Sequence, residues 1–525
     1  MKKIVFLILF LPLFSCDDWL DVESEMDVTY RNYFKSEKDL ERILVSIFMY
    51  EKHVCAKAVV QTFGYTGLQI DKPNTTVSGF QELDPTFFLD KSDVTWKSHY
   101  KAINLANMLR ENRFRFENIS SERADFWIAQ ADFVKALMYF RLAQDWGEVP
   151  IAPGSEDPTV QPKSPVDSVL AEAIRSAEAA KRGLPTYDRL TDADGRAITS
   201  RQYASLGTVH TLLANIYAWM GGLHGKEEYW RKAEEEASLV IDGKVGIYGL
   251  EDNIASLVKN TFGKERGTKE VIFAMEVNDV DDKWYYSSSL EMRYPGLCLV
   301  NYPYGVTDPR TIASARSLPR ITVSAVKALY EVADDRRKEF WYKLGETLLI
   351  ENEDPDTGEK YEEEYISSYA FINKWRDDTY SKNPDITQGG SRLIAMDGNR
   401  VVWRLADLIL LRAECRAQLG MPDAVADLNR VRERAGLRKY NGSTEKNRLL
   451  KEIFHERERE LFGEGQRYYD IIRNGYFREE LKGNYRTLTD EDVKNGALYL
   501  PVYMESAEKK NPFMKQNTYW LWQQK

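Results

Sequence analysis

The chain has 525 residues, with 82 Asp and Glu against 72 Lys and Arg, a net charge of −10 and four cysteines. An acidic chain without a basic stripe excludes nucleic acid as a partner. Cys16, Cys55, Cys298 and Cys415 are widely spaced without a CxxC pair, so they encode neither a disulfide framework nor a zinc site.

The first element is a targeting segment. Lys2 and Lys3 form a basic start, residues 4–13 are apolar, and Leu13-Phe14-Ser15-Cys16 ends the run in the Leu-x-small-Cys pattern of a lipidation site. Residues 1–15 are therefore read as a lipoprotein signal peptide and Cys16 as the lipidated residue. A bilayer core of ~30 Å needs about 20 apolar residues, so this run is too short to span. The mature protein is expected to be exported, held by lipid, and otherwise soluble.

The stretch 64–91 follows as a loop with Tyr65, Phe80, Phe87 and Phe88 among Asp71, Asn74 and Asp84; Asn74 and Phe80 are its most sugar-suited pair. Phe133, Ala136, Leu137 and Phe140 share one helical face within a predicted helix over 120–146, ended by Gly147. Ser164-Pro165-Val166-Asp167 predicts a capping box opening a second, antiparallel helix to about 182. A helix over 200–220, stopped by Gly221-Gly222, is paired with one over 227–241, where Ala233 and Ala237 permit close packing.

The next segment, 244–399, loses helical period. It reads as a strand at 271–277, a helix at 321–332, and strands at 347–351 and 361–366 around Asp354-Pro355-Asp356-Thr357-Gly358. Beyond it a third hairpin repeats, with Val402, Leu405, Ala406, Ile409 and Ala413 on one helix, Leu419-Gly420 as the turn and 422–435 as the return. Ala424 follows the turn with the small-residue logic of a tetratricopeptide hairpin. A long helix over 443–462 completes the set. The fold class is mostly α, with tetratricopeptide-like hairpins against an irregular, aromatic-rich region with a few short strands. It is organised as 16–243, the insert 244–399 and 400–525 of one composite domain.

The 30 Tyr, 12 Trp and 22 Phe exceed the needs of a helical core, which places some rings at a binding surface. A sugar offers C–H groups on one face and hydroxyls around its rim, so an aromatic platform beside amides or carboxylates is the physical answer to it. Stacking removes apolar area worth ~25 cal/mol per Å². In the insert, Trp284, Tyr285, Tyr286, Tyr302 and Tyr304, with Asn301, Asp281 and Asp282, have that composition; packing a long loop is the other use of the same rings. Neighbours in extended chain point to opposite sides, so Tyr285 and Tyr286 do not both stack on one ligand without a twist. Trp96 is assigned to the core.

No catalytic constellation is predicted. His455-Glu456-Arg457-Glu458-Arg459 lacks the second histidine of a zinc-protease motif and reads as a salt-bridged helix face. The five histidines are dispersed, no carboxylate pair stands out for glycoside hydrolysis, and Gly358 falls one place early for a calcium loop. No cofactor or metal is expected.

Several segments, in order, carry a family resemblance: Cys16-Asp17-Asp18-Trp19-Leu20-Asp21-Val22; the Trp-x-x-x-Tyr-x-x-Ile-Asn spacing from Trp96; ADFVKALMYFRLAQDWGEVP from Ala131; Asp334-Asp335-Arg336-Arg337; RLADLILLRAE from Arg404; ERERELFGEGQRYYDIIRNG from Glu456; and Asn511-Pro512 with Gln516-Asn517. On these the chain resembles the SusD/RagB family of outer-membrane nutrient-binding lipoproteins of Bacteroidetes, end to end. The resemblance implies a non-catalytic, cell-surface glycan-binding lipoprotein. Its implied partner is a SusC-like TonB-dependent transporter in the outer membrane, and Asp17-Asp18 is similar to the family's surface-export signal. The alternative the family holds open is a scaffold or peptide-binding, RagB-like protein using the hairpin groove.

Overall fold

The computed structural model describes residues 34–64, 70–71, 82–90, 95–267, 269–276, 302–303, 308–310, 320–381, 392–396, 399–507 and 511–524. Among the described residues nine principal helices carry the fold. In α1 (Glu37–Gly64), Leu40, Ile43, Leu44 and Ile47 repeat at helical spacing and are buried. They pack on α2 (Lys97–Glu111) and on α3 (Ser121–Asp145), which runs through the middle of the core with residues 126–140 buried all round. Ser120 caps α3 by accepting from the Arg123 N–H (3.2 Å). Gly147 turns the chain away at φ +70°, and a Cβ there would sit 2.9 Å from the Tyr499 ring.

The return helix α4 (Val166–Gly183) starts without the expected capping box. Pro165 holds the cap position with no side-chain bond, while the Ser164 N–H donates to Val149 O (2.9 Å) in a short antiparallel bridge. Next, α5 (Leu206–His224) opens on a capping box between Ser205 and Thr208, six residues later than its periodicity suggests. It also runs through Gly221-Gly222 instead of stopping there, and turns only at Gly225, φ +64°. Those two glycines are packing residues: a Cβ on Gly221 would meet the Trp230 ring at 2.7 Å, and one on Gly222 the Arg473 carbonyl oxygen at 2.3 Å. Trp230 belongs to the partner helix α6 (Glu227–Ile241), whose Ala233 and Ala237 are fully buried.

The third hairpin is α7 (Leu405–Gln418) with α8 (Ala424–Arg434), followed by α9 (Lys446–Glu460). Val402 is not on its first helix. It lies on β4 (Asn399–Arg404), which pairs antiparallel with β1 (Val271–Glu276) at the neck of the irregular segment. Every residue of β4 is buried, so its side chains carry no alternation that would separate strand from helix. Between these strands, β2 (Thr347–Glu353) and β3 (Lys360–Ile366) form a hairpin. Its turn is held by Asp354 Oδ1, which accepts from the Asp356 and Thr357 N–H groups (both 2.9 Å), with Gly358 at φ +71°. Arg320–Ile321 is a short strand, and the helix after it is limited to Val323–Leu329.

One apolar core gathers residues from Phe34 to Trp520, including Phe273 and Trp403 from the β1–β4 pair, so the two helical parts fold on each other. Beneath the neck runs a seam of buried ion pairs. Arg404 bonds Glu460 (2.6 Å), Glu270 (2.7 Å) and Glu464 (2.8 Å); Arg336 meets Asp334 and Glu456 at 2.8 Å; Lys374 Nζ donates to Glu464 (2.6 Å); and Arg434 joins Glu270 and Glu460. The alternating charges of the 456–460 segment are salt-bridged as expected, but much of that face is interior: Glu456, Arg457 and Glu460 are buried.

Candidate functional site

Where α2 begins, the spacing Trp96–Tyr100 places two rings one helical turn apart. Both line a cleft of about 710 Å³, and Tyr50 from α1 and Tyr503 from the carboxy-terminal segment add two more rings. That volume suits a few sugar units. The walls are held by polar ties behind the rings. Tyr100 Oη donates to Pro150 O (2.6 Å), Asn104 Nδ2 to Ser155 O (3.2 Å), and the Ala152 N–H to Tyr139 Oη (3.0 Å), lacing the 150–155 segment along α2 and α3. Asn511 Nδ2 donates to Gln161 O (2.7 Å), which fixes the opposite wall.

With its hydroxyl engaged, Tyr100 presents its ring rather than its oxygen, and burial holds its phenol well above the usual range. Tyr503 Oη donates to Glu505 (2.7 Å), and Lys101 Nζ sits 5.0 Å from the centre of the Tyr50 ring. Trp96 is half-buried, edge-on to Tyr100 (6.0 Å) and Trp146 (5.8 Å), so this residue, assigned to the core from sequence, also borders the cleft. Chemically the arrangement offers stacking faces and amides. Among the described residues no three His, Cys, Asp or Glu side chains are grouped to hold a metal. Glu456, the carboxylate of the protease-like segment, is enclosed by Arg336, Arg432 and Arg459 and is unavailable as a base.

Of the residues expected from sequence to contact ligand, Tyr302 alone is described. It is 9 % exposed and packs against Tyr342 (5.7 Å) and Phe371 (5.6 Å) in a small cluster under the β2–β3 hairpin. Cys16, Asn74, Phe80, Trp284, Tyr285, Tyr286, Asn301 and Tyr304 lie outside the described residues. In the stretch read as a loop, Pro85–Asp90 is a helix, with Phe88 buried against Trp520 (5.3 Å). Sequence reasoning did not select Tyr50, Tyr100 or Tyr503. The Trp-x-x-x-Tyr spacing was the available signal for Tyr100; Tyr50 and Tyr503 are brought in by tertiary packing alone.

A model of the SusD family matches residues 304–523, and a second, described as starch-binding associating with outer membrane, matches residues 18–209. SusD-like protein P25 of Formosa agariphila is 22 % identical, with 96 % of each chain covered. Among solved structures, a SusD homologue of Bacteroides thetaiotaomicron superposes with a TM-score of 0.70 at 23 % identity, covering 93 % of this chain and 99 % of that one. NanU of B. fragilis gives 0.67 at 18 % identity, covering 93 % and 97 %.

Proposed function

The chain belongs to the SusD/RagB family, a non-catalytic, carbohydrate-binding family associated with the outer membrane, and from that premise we propose that it is a cell-surface glycan receptor. It captures oligosaccharide or polysaccharide and passes it to a SusC-like TonB-dependent transporter, held beside that barrel by a lipid on Cys16. The observation that carries this reading is the cleft walled by Tyr50, Trp96, Tyr100 and Tyr503. Four rings converge there from α1, α2 and the carboxy-terminal segment, with amides between them. A lipid tether raises the effective concentration of receptor at transporter, so delivery works with modest ligand affinity. Among the described residues no helix is long and apolar enough to cross a membrane, which is compatible with such a tether.

Titration calorimetry and affinity electrophoresis against a polysaccharide panel test the reading; absence of binding to any glycan would sink it. Trp284→Ala and Tyr286→Ala, measured beside Tyr503→Ala, assign the platform. Loss in the first two places the ligand on the insert with Tyr285, Asn301 and Tyr304; loss in Tyr503→Ala places it in the cleft. The peptide-binding alternative, which uses the hairpin groove, is separated by a pulldown of the partner barrel with its bound ligand: peptide cargo would appear by mass spectrometry and glycan would not. A soluble Cys16→Ser protein is expected to bind glycan yet fail to support growth on it; normal growth would refute the role of the anchor.

A further inference from the structure

Behind the 511–517 segment lies a second cleft, about 800 Å³ in volume. Gln161 borders the first cleft and its neighbours Pro162 and Lys163 the second; likewise Asn511 and Met514 line the first, while Phe513, Lys515 and Asn517 line the second. The ridge between them is cross-tied by Asn511 to Gln161 O and by Lys163 Nζ to Asn517 Oδ1 (2.6 Å).

Three features of this second cleft call for an occupant. Trp219 of α5 lines it and is 3 % exposed, yet among the described residues its indole N–H has no acceptor. Trp127 donates to Glu37 (3.0 Å) and Trp520 to Tyr499 O (2.8 Å), whereas the enclosed indole of Trp341, away from either cleft, shares with Trp219 the lack of a partner among the described residues. A buried donor left unpaired is unfavourable, and an acceptor brought by a ligand relieves it. Second, Lys494 and Lys515 stand exposed at the cleft with neither an ion pair nor a hydrogen bond among the described residues, although the chain as a whole is acidic. The other cations of the lining are engaged. Lys163 is held by Asn517 and by Glu148 (3.4 Å), and Arg473 by Glu414 and Asp470 (both 2.6 Å). Third, Phe513 is 56 % exposed and shares the lining with Phe477 and Trp146, giving an apolar face beside the two free ammonium groups.

We propose that this second cleft binds an anionic saccharide. The carboxylate or sulfate is drawn to Lys494 and Lys515, the sugar face lies on Phe513, and a sugar oxygen accepts from the Trp219 indole. The inference rests on the glycan-binding reading and narrows it to acidic sugars. Position supports it as well, because a chain leaving the first cleft over the ridge enters the second.

The test uses the full mature chain with two probes of identical backbone, tetragalacturonate and its carboxyl-reduced form. The acidic probe is expected to bind more tightly, with an advantage of about tenfold that shrinks as salt rises toward 1 M. Lys494→Ala/Lys515→Ala, two exposed changes that leave the melting temperature in place, should abolish that advantage. Trp219→Phe, which keeps a ring and removes the N–H, should weaken both probes and preserve their ratio. Equal affinity of the two probes for the unmodified protein, or an advantage that survives the double variant, overturns the proposal. If neither probe binds while another glycan of the panel does, the acidic-sugar assignment falls and glycan binding stands. If no glycan binds, the parent reading falls with it.

Discussion

At the seam under the β1–β4 neck, charge is enclosed and matched. Arg404 and Arg336 are fully buried, each surrounded by three carboxylates, and burial alone would disfavour their charge, yet Glu464, Glu460, Glu456 and Asp334 hold both guanidiniums well above their usual range. Around the 511–517 ridge the opposite holds: rings and two lysines face solvent, and a buried indole lacks an acceptor among the described residues. Lysine shows the contrast most directly: Lys374 is enclosed on Glu464 at the seam, while Lys494 and Lys515 are exposed at the second cleft. Enclosed ion pairs build the frame here, and solvent-facing rings and lysines line the clefts.

The largest effect is expected at Arg404. Arg404→Met leaves Glu270, Glu460 and Glu464 buried with a guanidinium missing, and is expected to destabilise by about 3–5 kcal/mol. The midpoint of urea unfolding measures it. A loss under about 1 kcal/mol would mean that water enters the seam and that it is no more structural than the cleft rim.

Acid acts on two other carboxylates, with a smaller effect. Burial raises the Glu458 carboxyl, but Arg467 and His455 more than offset this and hold it at about 2, against an ordinary 4.5. A depressed carboxylate contributes stability that is present above 4.5 and lost as the pH falls toward 2. Asp145 acts in the opposite sense. Burial lifts it to about 6, only partly countered by the Tyr469 hydroxyl, so its folded-state preference for the proton fades as pH rises from about 4 to 6. Unfolding followed from pH 7 downward should therefore show no loss from these two groups until about pH 4.5, then a steady decline. In Asp145→Asn, any gain between pH 6 and 4.5 should disappear.

The helical frame was legible because long amphipathic runs, alanine at close-packing positions and glycine after the last turn are local signals. The ends of α3, α6 and α7 follow from them. The departures from these local signals have non-local causes. Gly221-Gly222 reads as a stop until the Arg473 backbone is brought against it by α7 and the segment after α9. Val402 reads as helix because a fully buried strand has no alternation to display. The seam escaped for a related reason: opposite charges at helical spacing look alike whether water or protein covers them, and it is the β1–β4 pair that covers these. For the site, the abundance of aromatic residues announced rings at a surface. Which rings meet depends on contacts spanning from Tyr50 to Tyr503, and no spacing rule reaches so far.

Gly222 lines the second cleft, and a Cβ on it would meet the backbone of Arg473, an arginine tied to Glu414 and Asp470. Exchanging glycine for alanine inside a helix would ordinarily gain about 1 kcal/mol. Here the new methyl meets a carbonyl oxygen at 2.3 Å, and a backbone atom cannot rotate aside. Overpacking of this kind costs about 1–3 kcal/mol, so Gly222→Ala is expected to be destabilising by about 1 kcal/mol net. Thermal melting decides it, and a stabilised variant would show that α5 slides freely along the Arg473 segment.

Tyr503→Ala gives the smallest stability effect and the sharpest contrast. Among the described residues its hydroxyl is bonded to Glu505 alone, two residues away, and its ring borders the first cleft. Stability should stay within about 0.5 kcal/mol of the unmodified protein, as for surface changes in general. Loss of one stacking face should nevertheless weaken glycan binding by about tenfold, equivalent to about 1.4 kcal/mol. Arg404→Met and Tyr503→Ala then form a crossed pair: one removes stability through a side chain that no ligand reaches, the other removes affinity through a side chain the fold does not need. A Tyr503→Ala protein that melts early and binds normally would reverse that assignment and place the ring with the frame.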